Sequence, residues 1–159
     1  MDTPPLVVRA RSDRELGLFL REIAVRDQAL LQFHLCPPMQ RDLRAFPMDH
    51  GKFLRTCADV HCLIQHRCVP STFLDWQTLE LRALRDLQEG EELTLNYHTI
   101  FEVLTKPFLC RCGDGSCYRE VRGFRYLALE EKLKLELYLS PYLKRLLNDE
   151  VMALRTRVG

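Results

Sequence analysis

Apolar positions follow two unlike patterns along this chain. Up to about residue 97 they come in short bursts rich in β-branched or aromatic residues, each broken by charges, glycine or proline. That is the signature of short strands. Leu6–Arg11, Leu16–Phe19 around Gly17, Ala29–Leu35, Phe73–Trp76, Glu80–Ala83 and Leu93–Tyr97 read as strands. Cys36-Pro37-Pro38 ends the third, because proline offers no ladder donor. Ser12–Glu15 and Gln88–Glu91 read as turns, the second with Gly90 where a positive φ is expected. Residues 39–56 show no clean period and are expected to form loop and short helix, and Ala58–Gln65 is an apolar segment, helix or strand. Beyond Leu127 the period becomes helical: Leu129, Leu133 and Leu137 recur at i, i+4, i+8. Ser140-Pro141 then supplies an N-cap with proline at the first helical position, and Leu143, Leu147 and Val151 align on a second helix. The chain divides into a strand-rich part over 6–98, a cysteine-rich segment over 99–127 and a helical tail over 128–159.

The 159 residues fit one domain with a small appendage. An apolar share of 47% and a charged share of 28% are globular proportions and exclude a disordered chain. No apolar run approaches the roughly 18–20 residues of a membrane span, and the N-terminus lacks a secretory apolar stretch. No membrane partner is expected, and an intracellular location, cytoplasmic or nuclear, is. Lys+Arg 23 against Asp+Glu 22 leaves a net charge of +1 with no block of one sign, so no nucleic-acid partner is expected either.

Cysteine changes the picture. Seven cysteines, an odd number without a secretory leader, point to metal or reactive thiols rather than disulfides. Cys110, Cys112 and Cys117 form C-x-C-x4-C, with two glycines between the last pair, so three thiolates can wrap one ion. Zinc prefers four ligands in a tetrahedron, and soft sulfur suits it. Cys68, in a turn beside Pro70, is the candidate for the fourth. Cys36, Cys57 and Cys62 lie in apolar contexts and read as buried small hydrophobes. A rival cluster of Cys57, Cys62 and Cys68 with His61 and His66 lacks the spacing of a compact clamp.

Three fragments in order resemble a known family: His66-Arg67-Cys68-Val69-Pro70-Ser71, then Ala83-Leu84-Arg85-Asp86-Leu87-Gln88-Glu89-Gly90-Glu91-Glu92-Leu93-Thr94-Leu95-Asn96-Tyr97, then C-x-C-x4-C. They look like the SET domain followed by its post-SET zinc segment, and Ser12–Ile23 resembles that family's opening. The resemblance covers about residues 6–127, making 6–98 a SET-like domain and 99–127 a post-SET segment. It implies a mainly β (α+β) fold of small curved sheets with a pseudoknot. It implies zinc on Cys68, Cys110, Cys112 and Cys117, and S-adenosylmethionine as cofactor. Tyr97 matches the catalytic tyrosine, Gly17, Leu18 and Phe19 the cofactor-contacting opening, and Gln65, His66 and Arg67 the segment that holds the adenosyl group. Phe101 and Phe108 stand where pocket walls lie. The chain departs from the pattern at Glu15, where the first glycine of a pair is usual, and at Gln65, Arg67, Ser71, Leu95 and Asn96.

The reading is a stand-alone methyltransferase acting on a lysine or another amine, its substrate a protein lysine or a small molecule. Two alternatives stand beside it. One is a SET-like fold repurposed for biosynthesis, binding a small apolar substrate and acting as a cyclase. The other is an adaptor whose tail leucines offer a partner or dimer face. His66 has no partner at metal-ligand spacing, Glu91 and Glu92 read as solvated surface, and Asp75 and Trp76 as packing. No phosphate-cradling glycine loop, Ser-His-Asp arrangement or H-E-x-x-H is present.

Overall fold

The computed structural model of the protein describes residues 5–11, 15–36 and 45–158, the side chains of 57, 58, 157 and 158 excepted. The turn over 12–14, the stop at Pro37-Pro38 and the side chain of Cys57 lie outside the described residues. Strand β1 (Leu6–Ala10) and β2 (Leu16–Leu20) form an antiparallel hairpin with Val8 opposite Leu18. Next come β3 (Ala29–Gln32), β4 (His34–Leu35), β5 (Phe46–Asp49) and β6 (Lys52–Arg55). A 3-10 helix at Cys57–Leu63 leads into β7 (Gln65–His66). β8 (Thr72–Asp75), β9 (Glu80–Ala83) and β10 (Thr94–Leu95) complete this part, and β11 (Phe108–Leu109) and β12 (Glu120–Val121) frame the cysteine segment. The tail holds α1 (Leu129–Lys134), a 3-10 turn at Glu136–Tyr138, and α2 (Pro141–Val158). The sheets are small: β3-β9-β8 and β4-β6-β5 are three-stranded, and β1-β2, β10-β7 and β11-β12 are pairs.

Leu18 and Leu20 share one face of β2 and are buried in the core, while Phe19 on the other face is half-buried. The stretch read as one strand over 29–35 splits at Phe33, whose N–H donates to Leu79 O at 2.8 Å and whose ring stacks on Phe46 at 5.6 Å. The loop and short helix expected over 39–56 give way, from residue 45 on, to the β5–β6 hairpin. Four-residue strands carry too little alternation to announce themselves, but Phe46 and Leu54 face each other in the core, and Gly51 at φ +67° closes the turn. Leu18, Leu20, Leu30, Leu81, Leu93 and Ile100 belong to the same buried cluster.

The tail builds a second cluster from Phe124, Leu139, Leu143 and Leu147. Ser140 caps α2 by accepting the Leu143 N–H at 3.3 Å. Trp76 Nε1 donates to Tyr138 O at 2.9 Å, Ser140 N to Thr99 O at 2.9 Å, and Arg145 pairs with Asp49, so the tail is tied to the sheets at three points. Inside it, Lys132 Nζ lies 2.8 Å from Glu150 and 5.2 Å from the Phe124 ring centre.

Two readings of the tail are corrected here. The first helix ends at Lys134, so Leu129, Leu133 and Leu137 do not share one face, and Leu137 is 83% exposed. Leu143 and Leu147 are buried against this chain's own Phe124 and Leu139, so the helix face expected to meet a partner is already filled. Among the described residues no helix is long and apolar enough to cross a membrane.

Candidate methyl-transfer cleft and metal centre

Parallel pairing of β7 with β10 sets Gln65 beside Thr94 and His66 beside Leu95, and so brings residues 64–68 against 94–97. Ser71 holds the junction: its N–H donates to Thr94 Oγ1 and the Thr94 N–H donates to Ser71 Oγ, both at 2.9 Å. Asn96 caps the following 3-10 helix (Tyr97–Thr99) by accepting the His98 N–H at 3.1 Å. Tyr97 then points back across β7, its hydroxyl donating to Ile64 O at 2.8 Å. Burial pushes the Tyr97 phenol up to about 12, with the Glu15 carboxylate adding to the rise and Arg11 opposing it.

Aromatic rings pack against the Tyr97 ring. His66 lies 5.3 Å from Tyr97 and 5.7 Å from Phe108 between ring centres, and Phe101 lies 5.5 Å from Tyr97. The hairpin β1–β2 forms the next wall. A Cβ on Gly17 would stand 2.7 Å from Glu92 Oε1 and 3.0 Å from the Phe19 ring, so a side chain there would displace the Glu92 carboxylate. Glu92, read as solvated, is held by Arg11 at 3.1 Å, and Arg11 also reaches Glu15 at 3.5 Å. This charged trio was missed because its members come together only through the bridge between Phe19 and Glu92. Of the remaining cofactor candidates, Leu18 turns its side chain into the core, and Gln65 Nε2 donates to Leu16 O at 3.0 Å, fastening β7 to β2. Arg67 turns away, donating to Cys112 O at 3.0 Å and facing Asp114 at 3.7 Å.

The metal centre is the most complete part of the site. Sulfurs of Cys68, Cys110, Cys112 and Cys117 all lie within 4.8 Å of one another. A tetrahedron with Zn–S bonds of about 2.3 Å has edges of about 3.8 Å. Cys68 Sγ lies 3.7 Å from both Cys110 Sγ and Cys117 Sγ, so the donor set fits zinc. Backbone N–H groups of Tyr118 and Arg119 point at Cys68 and Cys117, each at 3.4 Å, as thiolates require. Burial pushes the Cys68 and Cys110 thiols up, so a bound cation would be needed to ionise them. Cys36 and Cys62 stay half-buried and outside this group. The rival cluster does not form among the described residues: His61 is buried against Thr56, its Nδ1 3.1 Å from the Thr56 hydroxyl.

His66 joins the two halves. Its Nδ1 accepts the Tyr97 backbone N–H at 3.1 Å, which leaves the ring proton on Nε2, 3.4 Å from Cys68 Sγ. Burial holds the imidazole down at about 3.

With this geometry in place, the SET-domain sequence profile matches residues 8–98. The chain belongs to the SET-domain family. A relative from Aspergillus flavus, named "Methyltransferase flvH", is 34% identical over 95 residues, covering 58% of this chain and 51% of the relative. The chain thus spans about half the length of the curated relative it matches. Solved SET structures share the fold. A KRYPTONITE complex with mCHG DNA and SAH superposes at a TM-score of 0.58 and 17% identity, over 74% of this chain and 29% of that one. The methyltransferase domain of human SETMAR superposes at 0.56 and 15% identity, over 76% and 59%. The mainly β, small-sheet architecture of this SET chain is therefore the one its sequence implied.

Proposed function

We propose that the chain is an S-adenosylmethionine-dependent methyltransferase acting on an amine, with a lysine side chain as the first candidate. The observation that carries this is the Tyr97 hydroxyl, fixed on Ile64 O at the head of an aromatic cleft. The printed name of the Aspergillus relative and the SAH-bound neighbour support it, and neither favours a non-methylating cyclase. The near-zero net charge gives no reason to carry the DNA of the KRYPTONITE complex over to this chain.

The residues present fit the cofactor. Faces of His66, Tyr97 and Phe108 suit an onium centre, and Gly17 brings bare backbone to the cleft wall. Gly17, Phe19, Gln65 and the His66 backbone would hold it, whereas the Leu18 side chain and the Arg67 guanidinium serve the core and the metal loop. When bound, the cofactor supplies an activated methyl on a sulfonium sulfur. Tyr97 determines how the acceptor meets it. Its proton is engaged by Ile64, so the phenol oxygen acts toward substrate as an acceptor, taking an amine N–H and aiming the nitrogen lone pair. Phe101 and Phe108 exclude water and disfavour the ammonium form of the amine. Cys68, Cys110, Cys112 and Cys117 would hold zinc as a closed structural site, with no ligand position left for chemistry. Glu15, beside Tyr97, puts a carboxylate where the family places glycine, and it is the group to vary when the substrate is sought.

Calorimetry of S-adenosylmethionine binding to the zinc-loaded protein tests the reading. We expect a Kd of about micromolar, and methylation of lysine peptides or small amines that Tyr97→Phe slows by about 10²-fold. No binding at millimolar cofactor by folded protein would overturn it.

A further inference from the structure

A second cavity lies away from the Tyr97 cleft, between the C-terminal edge of the β8–β9–β10 region and the tail. It has a volume of about 330 Å³, and Val69, Phe73, Leu84, Leu95, Leu135 and Tyr138 line it. None of Gly17, Phe19, Gln65, His66, Tyr97 or Phe101 does. It is a recess open to solvent on one side, not a void in the packed interior. It falls at the lower end of the roughly 300–1,000 Å³ typical of small-molecule sites.

The chemistry of the walls narrows what can enter. The threonine, asparagine and arginine side chains there already have partners within the chain. Thr72 Oγ1 donates to Thr94 O at 2.8 Å and Thr99 Oγ1 to Asn96 O at 2.7 Å. Asn96 donates to Cys68 O at 3.3 Å and accepts the His98 N–H. Arg85, at the rim, pairs with Glu91 and donates to Asp86 O at 3.0 Å, so its charge is neutralised. Cys68 presents a sulfur of the metal cluster. An apolar cavity whose polar walls are satisfied holds water poorly and admits apolar guests.

We infer that this cavity is a binding site for an uncharged, hydrocarbon-rich small molecule, separate from the cleft that holds the reacting groups. A protein segment is a poor occupant, because the space is small and its lining is divided among four separate stretches of chain: 68–73, 84–85, 95–99 and 135–138. The site also touches both halves of the functional centre. Cys68 is its metal-side wall, and Asn96 immediately precedes Tyr97. Its opposite wall, Leu135 and Tyr138, belongs to the tail, and Tyr138 is the residue whose carbonyl anchors Trp76. Occupancy therefore braces the tail against the strand that carries the tyrosine.

The test uses the full zinc-loaded chain and the uncharged fluorescent probe N-phenyl-1-naphthylamine, without S-adenosylmethionine, so its outcome is independent of the methyltransferase reading. Saturable one-to-one binding is expected. Val69→Trp plugs the mouth at a position that is 55% exposed, and Leu135→Trp fills the cavity from the tail side. Each variant that keeps its zinc and its circular dichroism should bind the probe about tenfold more weakly or worse. Methyl NMR shifts on adding xenon should map to Leu84, Leu95 and Leu135 and vanish in the same variants. Absence of saturable probe binding to the parent chain, or binding undiminished in both folded variants, would overturn the inference. So would probe affinity that falls as protein concentration rises, since a second copy would then be the occupant.

Discussion

The cysteine cluster and the Tyr97 cleft share His66 as a common wall, yet they are built by opposite means. Three of the four sulfurs arrive together on one short loop, and the fourth meets them at 3.7 Å with backbone N–H groups already aimed at two of them. The cleft has no such local unit. Its tyrosine, glycine, rings and charged trio come from residues 11–19, 64–66, 92–101 and 108, and they hold one another through single contacts such as Gln65 to Leu16 and Arg11 to Glu92. The cluster brings together all four cysteines that the resemblance implies, while the cleft carries Glu15 and Gln65 where the resemblance implies other residues. A metal shell tolerates no change of ligand chemistry, because each sulfur completes a fixed coordination number. A cleft assembled from many weak contacts can exchange one polar group for another and keep its shape.

The largest test of that difference is removal of the metal. Cys68→Ser should empty the cluster, lowering zinc from one per chain to none by elemental analysis. It should lower Tm by roughly 10 °C or more, from several lost kcal/mol at roughly 2–4 °C each. Because His66 contacts both Cys68 and Tyr97, this variant should also lose cofactor binding, whereas a change in the cleft should leave zinc in place. An intact Tm after zinc loss would break the comparison.

Gly123 joins β12 to the tail at φ +114°, and a Cβ there would stand 2.5 Å from Glu102 O. Gly123→Ala should cost about 3 kcal/mol or more in urea unfolding, through strain and backbone collision together. A change below 1 kcal/mol, on the order of an exposed helix Gly→Ala swap, would show that the backbone shifts freely there.

Tyr97→Phe sharpens the contrast from the other side. Zinc content should be unchanged, stability should fall by only about 1 kcal/mol for the lost hydrogen bond to Ile64, and kcat should drop by about 10²-fold. The same phenol gives a pH test. Its proton is held to about 12 against an ordinary 10.0. The unfolded phenol ionises first, so the contribution to stability is whole below pH 10 and declines as pH rises from there toward 12. Burial also raises the Tyr118 phenol and the Glu102 hydrogen bond raises that of Tyr142, so ultraviolet titration should show a late phase that Tyr97→Phe diminishes by one tyrosine.

The smallest effect is expected at the departures themselves. Glu15→Gly and Gln65→Asn together should change S-adenosylmethionine affinity by less than about tenfold, under 1.4 kcal/mol. A larger gain would mean that these two side chains oppose the cofactor.

What the sequence disclosed follows the same division. C-x-C-x4-C is a local spacing and was readable at once, and Cys68 followed from its place beside Pro70. Short apolar strands bounded by charge, such as β2, and the Ser140-Pro141 start of α2 were equally plain. The β5–β6 hairpin was not, because its evidence is Phe46 lying opposite Leu54, a pairing rather than a periodicity. Glu92 read as surface because nothing near it reveals that Gly17 and Arg11 close over it. The leucines of the tail read as a partner face because an amphipathic stripe is the same whether another chain or Phe124 fills it.

The separation of Cys68 from Cys117 has a consequence for how the protein comes into being. The two are 49 residues apart, so at about 5–20 residues per second the ribosome exposes Cys68 for roughly 2–10 s before its last co-ligand is made. Through that interval the thiol stands alone, open to oxidants and to foreign metals. Closure of the four-cysteine cluster thus waits for Cys117, which is made after β10 is already available to pair with β7.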